Sequence, residues 1–373
     1  MKIRVEKQVL QEALQLVQAI TSKATSEQYV SSVFIQTIQG GISLKATNYE
    51  ITFEGSFPAE VLEEGQICLN SSKLFNLVRS FQGLEIEFGS TPQNWVFLSC
   101  GQSKVRLPGL DTHSYPPIDF KELENKFLVS GAQFKTAIDR TLFAIGENES
   151  RKNLMGLNLE IKSENQIQCL GADAFRISQL LINFDQPITA QGNIIVPKKA
   201  LPEIKRIIDF SSGDLSFSFN ENSFQLFTDQ VKFSTRLIEA DYPNLESLLS
   251  QVAPIQLAVS KYKLVNAVKL LKTLTDDDHN AVMKLTLSPN EVLVESQKLE
   301  YGEANDRIDC EYQGEEMSIG LNIQFFLESL NAFEAADDEQ IMLHISGPVA
   351  PLMITAQSWS DLKTVLMPVK IKW

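Results

Sequence analysis

Val9, Leu10, Ala13, Leu14 and Val17 recur at helical spacing. They predict an amphipathic helix over about Gln8 to Ile20 with those side chains on one buried stripe. The same arrangement returns at Phe134, Ala137 and Ile138, and again at Leu264, Ala267 and Val268. A second pattern, in which the end of a strand runs straight into a helix, begins at Leu69, at Val196 and at Leu321. Its starts lie 127 and 125 residues apart (196 − 69 and 321 − 196), and the first pattern's anchors lie 124 and 130 apart (134 − 10 and 264 − 134). Either pattern alone is only an amphipathic helix. Two at nearly one period predict three homologous repeats.

The middle copy of the second pattern is the most informative. Ala200, Leu201, Ile204, Ile207 and Ile208 form one face, Lys199 and Arg206 lie opposite, and Pro197 is expected in the first helical turn. Alternating segments fill the space between helices, for example Ser32 to Thr37, Ile42 to Thr47 and Glu50 to Phe57, with Gly40-Gly41 as a hairpin turn. In the middle repeat a helix is expected over Gly131 to Ile145. The predicted class is α+β, with two helices packed on antiparallel sheets in each of three domains, 1–122, 123–252 and 253–373. The two proline-containing junctions, Thr112 to Phe127 and Glu239 to Ile255, read as ordered connectors because neither is rich in Gly and Ser.

A chain of 373 residues is long for one core and suits three domains of ordinary size. Cys68, Cys100, Cys169 and Cys310 show no paired spacing, so neither a zinc cage nor a disulfide framework is expected. The start of the chain runs directly into a strand pattern and no apolar run is long enough to span a bilayer, which predicts a cytoplasmic protein with no membrane association. The three histidines, His113, His279 and His344, are scattered without metal-ligand spacing, and no phosphate-binding glycine loop is present. The run Asp276-Asp277-Asp278 reads as a solvated loop. No catalytic site, metal or cofactor is expected.

The net charge of −14 argues against a protein that coats nucleic acid over its whole surface. The basic residues are nevertheless segregated. Lys198, Lys199, Lys205 and Arg206 are offset only by Glu203, and Lys261, Lys263, Lys269 and Lys272 share one helix. A phosphate backbone is the natural polyanion for such a face, although the solvated side of an amphipathic helix has the same composition.

Ala172-Asp173-Ala174-Phe175-Arg176-Ile177 resembles the T-D-G-H-R-L segment of the bacterial DNA polymerase III beta subunit family, the sliding clamps. Ile195 to Lys199 is similar to that family's V-P-R-K segment, Tyr242-Pro243 to its F-P-D, and Val365 to Ile371 to its V-M-P-M-R-L. Order and spacing agree over the full length. The resemblance implies a head-to-tail homodimeric ring with helices lining the hole and sheets on the rim. Duplex DNA would pass through it without base readout, and the replicative polymerase, the clamp loader and repair proteins would dock through short peptide motifs.

Carried over residue by residue, the family's peptide pocket falls on Leu154, Ala172, Phe175, Arg176, Ile177, Pro243, Leu248, Val349, Val365, Met367, Pro368, Val369 and Lys370. Ala172 and Phe175 stand where the family has Thr and His, and Lys370 where it has Arg. The resemblance implies a hole for DNA, and the basic helices, contrasted with the overall charge, put Lys198, Lys199, Lys205 and Arg206, with Lys23, Arg151 and Lys152 in flanking loops, toward it. The resemblance also sets a dimer edge of Lys73, Lys104, Val105, Arg106 and Leu107 against one of Thr273, Leu274, Glu300, Glu303 and Asp306. Two other readings stay open from the residues alone: a paralogue with an altered pocket, and an enzyme on a triplicated scaffold, which would need a convergent cluster of titratable groups.

Overall fold

Both repeated patterns are helical in the computed structural model, which describes residues 1–21, 27–147, 149–211, 213–275, 281–296, 302–333 and 340–370. The helices are α1 (Lys7–Gln18), α2 (Ser71–Ser80), α3 (Gly131–Thr141), α4 (Leu201–Phe210), α5 (Glu246–Leu249), α6 (Lys261–Lys272) and α7 (Ile323–Asn331). Every repeated anchor is in the core. Leu10, Ala13 and Leu14 are buried in α1, Phe134, Ala137 and Ile138 in α3, and Leu264, Ala267 and Val268 in α6. Helix propensity alone leaves ten-residue segments marginal, so burial of this stripe is what holds them.

The strand-to-helix unit is closed by capping. The side chains of Asn70, Ser260 and Asn322 accept hydrogen bonds from the N–H groups of Lys73, Lys263 and Phe325, which satisfies donors left open at the starts of α2, α6 and α7. α4 has no side-chain cap. Its start is instead a 3-10 turn over Lys198–Ala200. The expected role of Pro197 is corrected here: Pro197 ends the strand Asn193–Pro197, and it is Pro202 that occupies the opening turn of the helix. The helix expected over Gly131 to Ile145 stops at Thr141 and tightens into a 3-10 turn at Leu142–Ala144. The hydroxyl of Thr141 donates 2.6 Å to the carbonyl of Ala137, a local competitor for the helix ladder that accompanies its end.

The chain divides into two compact units. The first comprises Met1–Gln133, Thr189–Gln191 and Lys199–Leu237. Its eight-stranded antiparallel sheet runs, in spatial order, Asn125–Ser130, Asp214–Phe219, Ser223–Phe227, Val231–Arg236, Ile51–Pro58, Gly41–Thr47, Ser32–Ile38 and Gln66–Asn70. Its five-stranded sheet runs Glu60–Glu63, Lys2–Glu6, Glu85–Ser90, Trp95–Cys100 and Ser103–Pro108.

The second unit comprises Phe134–Ile188, Gly192–Lys198 and Ile238–Trp373. Its eight-stranded sheet joins Asn193–Pro197, Gly156–Ser163, Gln166–Ala172 and Arg176–Asn183 to Trp359–Leu366, Leu352–Ala356, Gln340–Ile345 and Ile255–Ser260. Its four-stranded sheet runs Asn305–Asp309, Glu291–Ser296, Val282–Ser288 and Met317–Asn322. The architecture is α+β, as the alternation predicts. The expected site residues Lys23 and Glu300, the run Asp276-Asp277-Asp278 and the pair Lys372-Trp373 lie outside the described residues.

Candidate functional site

The pairing of Arg176–Asn183 with Trp359–Leu366 builds the floor of the site, all within the second unit. Ile177 stands opposite Val365, and Arg176 opposite Leu366. One step past the ladder, the N–H of Met367 donates 2.8 Å to the carbonyl of Phe175. Leu154, Leu170, Ala172, Ile177, Leu249 and Val365 form one buried cluster, with Tyr242, Leu245, Leu248 and Met353 packed against it. Five expected pocket residues, Leu154, Ala172, Ile177, Leu248 and Val365, are thus brought together. The phenol of Tyr242 reaches back 3.3 Å to the carbonyl of Leu170, and burial pushes its pKa up. It stays a neutral donor that pins the connector to the sheet.

Phe175 and Arg176 stand above this floor. Asp173 fixes their turn: its Oδ1 accepts the N–H groups of Phe175 at 2.7 Å and Arg176 at 2.9 Å, and its Oδ2 meets the Arg176 guanidinium at 3.1 Å. Arg176 is the more enclosed of the two. Its side chain is only 10% exposed and ion-paired with both Asp173 and Glu328. Its guanidinium lies 4.2 Å from the Phe325 ring centroid and 5.3 Å from that of Phe143. Phe175 is 57% exposed and stacks on Phe325 with centroids 5.9 Å apart. A cleft of about 760 Å³ opens beside them, with Leu142, Phe143, Ile145, Leu154, Phe175 and Phe325 as apolar lining and Asp139, Glu147 and Glu328 among its carboxylates.

The remaining pocket residues are more scattered. Pro243 lines a separate concavity of about 350 Å³ between the connector and the sheet. Val349 is 75% exposed and belongs to neither lining. Met367, Pro368 and Val369 are half-buried and Lys370 is exposed. The N–H of Val369 donates 2.8 Å to the carbonyl of Gly320, so the chain's last described residues run on to the neighbouring sheet.

Two outer strands carry the expected dimer residues. Ser103–Pro108 is the last strand of its sheet, with Lys104 and Arg106 exposed and Val105 and Leu107 half-buried. Arg106 lies flat on Trp95, 3.8 Å from the ring centroid. Asn305–Asp309 is the outer strand of the four-stranded sheet. Arg307 on it turns to Glu291 at 3.2 Å, leaving Asp306 and the fully exposed Asp309, which lies 3.9 Å from the Lys263 ammonium, to set the sign of that edge, with Glu303 just before it. Lys73 and Thr273 are exposed and Leu274 is half-buried.

Lys198, Lys199 and Arg206 do not present bare charges. Lys198 donates to the carbonyl of Ile145 at 2.8 Å and to Glu147 at 2.9 Å. Lys199 is paired with Glu50, and Arg206 with Glu203 at 2.5 Å. Lys205 is half-buried, whereas Arg151 and Lys152 are exposed. On α6, Lys261 donates to the carbonyl of Phe333 and Lys272 to Gln324 at 2.7 Å.

Three family models together match nearly the whole chain: the N-terminal domain of the DNA polymerase III beta subunit over residues 1–119, its central domain over 128–244 and its C-terminal domain over 247–370. The chain belongs to the DNA polymerase III beta subunit family. The beta sliding clamp of Bacillus subtilis is 23% identical, covering 99% of this chain and 100% of that protein. Among solved structures, the beta subunit of the Streptococcus pyogenes DNA polymerase is similar with a TM-score of 0.92 at 23% identity over 100% of both chains. A sliding clamp from Pseudomonas aeruginosa bound to griselimycin gives a TM-score of 0.92 at 21% identity, again over 100% of both chains.

Within this chain, sequence reading missed Leu170, Tyr242, Leu245, Leu249 and Met353 of the apolar cluster, and Phe143, Phe325 and Glu328 around Arg176. Leu170 was within reach, since it alternates with Ala172 on one strand. Phe325 and Glu328 sit one helical turn apart on α7, but only the fold brings that helix to Arg176. No group of three or more His, Cys, Asp or Glu side chains that could hold a metal is found among the described residues.

Proposed function

We propose that two copies of this chain close head to tail into a ring that encircles duplex DNA and tethers the replicative polymerase, conferring processivity without chemistry of its own. The observation that carries this reading is the pair of outer strands of opposite charge, Ser103–Pro108 with Lys104 and Arg106, and Asn305–Asp309 with Asp306 and Asp309. Two different, mutually complementary edges on one chain give a heterologous contact, which closes when the rotation allows and removes both open edges. The reading places the protein in the cytoplasm, where the replicative polymerase, a clamp loader and repair proteins take turns on it.

In this reading partner peptides dock over the Leu154, Ala172, Ile177 and Val365 floor, with the wall of Phe175, Arg176 and Phe325 selecting their apolar side chains. Lys198, Lys199, Lys205 and Arg206, with Arg151 and Lys152, face the duplex. The decisive test is retention on nicked circular DNA loaded with a clamp loader: the protein is expected to stay until the circle is linearised and then to slide off. Loss from circular DNA at the same rate as from linear DNA rules out topological linkage.

A further inference from the structure

We propose that Glu50, Glu147 and Glu203 are built-in counter-ions for the cations that meet DNA, so that phosphate contacts form by exchange with a protein carboxylate and the grip on duplex is weak. This rests on the reading in which those cations face the duplex. Lys198, Lys199 and Arg206 each have a carboxylate partner. None of the three pairs is accidental in its placement. Glu50 ends a turn in which Asn48 Oδ1 accepts the N–H groups of Glu50 at 3.1 Å and Ile51 at 2.7 Å, while the Glu50 carbonyl accepts the N–H of Arg236 at 2.9 Å. Tyr49 in that turn has φ of 68°, a left-handed conformation that a bulky residue adopts only when its surroundings enforce it.

Glu203 is 8% exposed on α4, one turn before Arg206, so the guanidinium lies over a carboxylate that cannot swing away into solvent. Lys198 is anchored by the Ile145 carbonyl as well as by Glu147. At distances larger than their own separation such pairs act as dipoles rather than as charges, and what field remains is screened within a Debye length. The affinity of a basic face for DNA, and its steep salt dependence, come from releasing counter-ions condensed on phosphate. A lysine that must first part from a glutamate gives up some of that gain, and the freed carboxylate is left close to the polyanion. Arg151 and Lys152 have no acidic partner among the described residues, so they are the residues expected to hold phosphate most directly.

The experiment compares the full-length protein with Glu50→Gln, Glu147→Gln, Lys199→Ala and Lys152→Ala, measuring direct affinity for linear duplex DNA as a function of salt. Exposed ion pairs are weak, so each glutamine variant is expected to raise affinity roughly two- to five-fold and to steepen the salt dependence. Lys152→Ala is expected to cost more affinity than Lys199→Ala. If both lysine variants weaken binding equally and neither glutamine variant changes affinity or slope, the counter-ion role is wrong. If no variant of the four changes binding, the assignment of this face to DNA is wrong instead.

Discussion

Glu203 sits where an ionised carboxylate is costly. It is buried on α4, and desolvation raises its pKa above the ordinary carboxylate range while Arg206 pulls it back in part. The sign of the pH effect follows. A group whose folded-state pKa is raised stabilises the fold fully below its unfolded value, and that contribution is lost as pH rises through the raised value. Glu203→Gln removes the group from this balance. Its urea unfolding curves are expected to fall less in stability between the ordinary carboxylate range and neutrality, leaving it at least as stable as the parent at neutral pH. An equally steep loss in the variant would mean that Glu203 is not the group titrating. Phe175 offers a second residue-scale test. Because it stacks on Phe325 yet stays largely exposed, its ring is worth more to a bound aromatic than to the fold. Stacking of this kind contributes about 0.5 to 1.5 kcal/mol beyond burial. Calorimetry with a short peptide bearing aliphatic and aromatic side chains is expected to show Phe175→Ala weakened by about that amount, with thermal unfolding little changed.

At the scale of elements, the repeats explain why one groove is built and another is not. The turn Asn48 to Glu50 in the first unit has the hydrogen bonding of Asp173 to Phe175: Asn48 Oδ1 accepts from Glu50 and Ile51 as Asp173 Oδ1 does from Phe175 and Arg176. The floor differs. Leu154, Ala172 and Ile177 have Tyr29, Thr47 and Thr52 at the same offset of 125 (154 − 29, 172 − 47, 177 − 52), and opposite Thr52 stands Ser234 where Ile177 has Val365. The Thr47 hydroxyl donates to the Ile51 carbonyl at 3.1 Å and lies 3.2 Å from that of Thr52. A polar floor gives an apolar peptide nothing to bury, so titration is expected to reach one peptide per chain; two per chain would sink this account. Caps make a further element-scale prediction: Asn322→Ala, which strips the acceptor for the Phe325 N–H at 2.9 Å, should lose about 0.5 to 2 kcal/mol in denaturant unfolding. The helices themselves were legible because Leu10, Phe134 and Leu264 head stripes that sequence periodicity exposes. α5 was not, because four residues, Glu246–Leu249, make barely one turn and carry no period. The groove was legible only through resemblance. Its residues come from strands, a connector and α7, and single-strand alternation does not say which strand lies beside which. Pro197 misled because its position before Lys198 suits a strand end as well as a first helical turn.

For the whole molecule the question is how chains of net charge −14 associate at all. Long-range repulsion between two such chains is screened beyond about 8 Å at physiological ionic strength, so local complementarity decides the contact. The outer strand Ser103–Pro108 supplies it with Lys104 and Arg106, and Arg106 is held flat on Trp95 rather than left to wander. The strand proposed to face it, Asn305–Asp309, offers Asp306 and Asp309, with Glu303 beside them, while Arg307 is occupied by Glu291. Half-buried Val105 and Leu107 alternate with the cations along the strand and offer the apolar area a stable contact needs. Lys104→Glu with Arg106→Glu places like charges against those acids, and like-charge juxtaposition costs several kcal/mol. The double variant is therefore expected to sediment as a monomer at micromolar concentration where the parent is a dimer. Because Arg106 also packs on Trp95, its loss could weaken the sheet rather than the contact, so the informative variant is the swap. Adding Glu303→Lys and Asp306→Lys to the same chain restores opposite charges across the edge and should restore the dimer. A double variant that dimerises like the parent, or a swapped chain that stays monomeric while its circular dichroism is native, would show that the copies meet through some other surface.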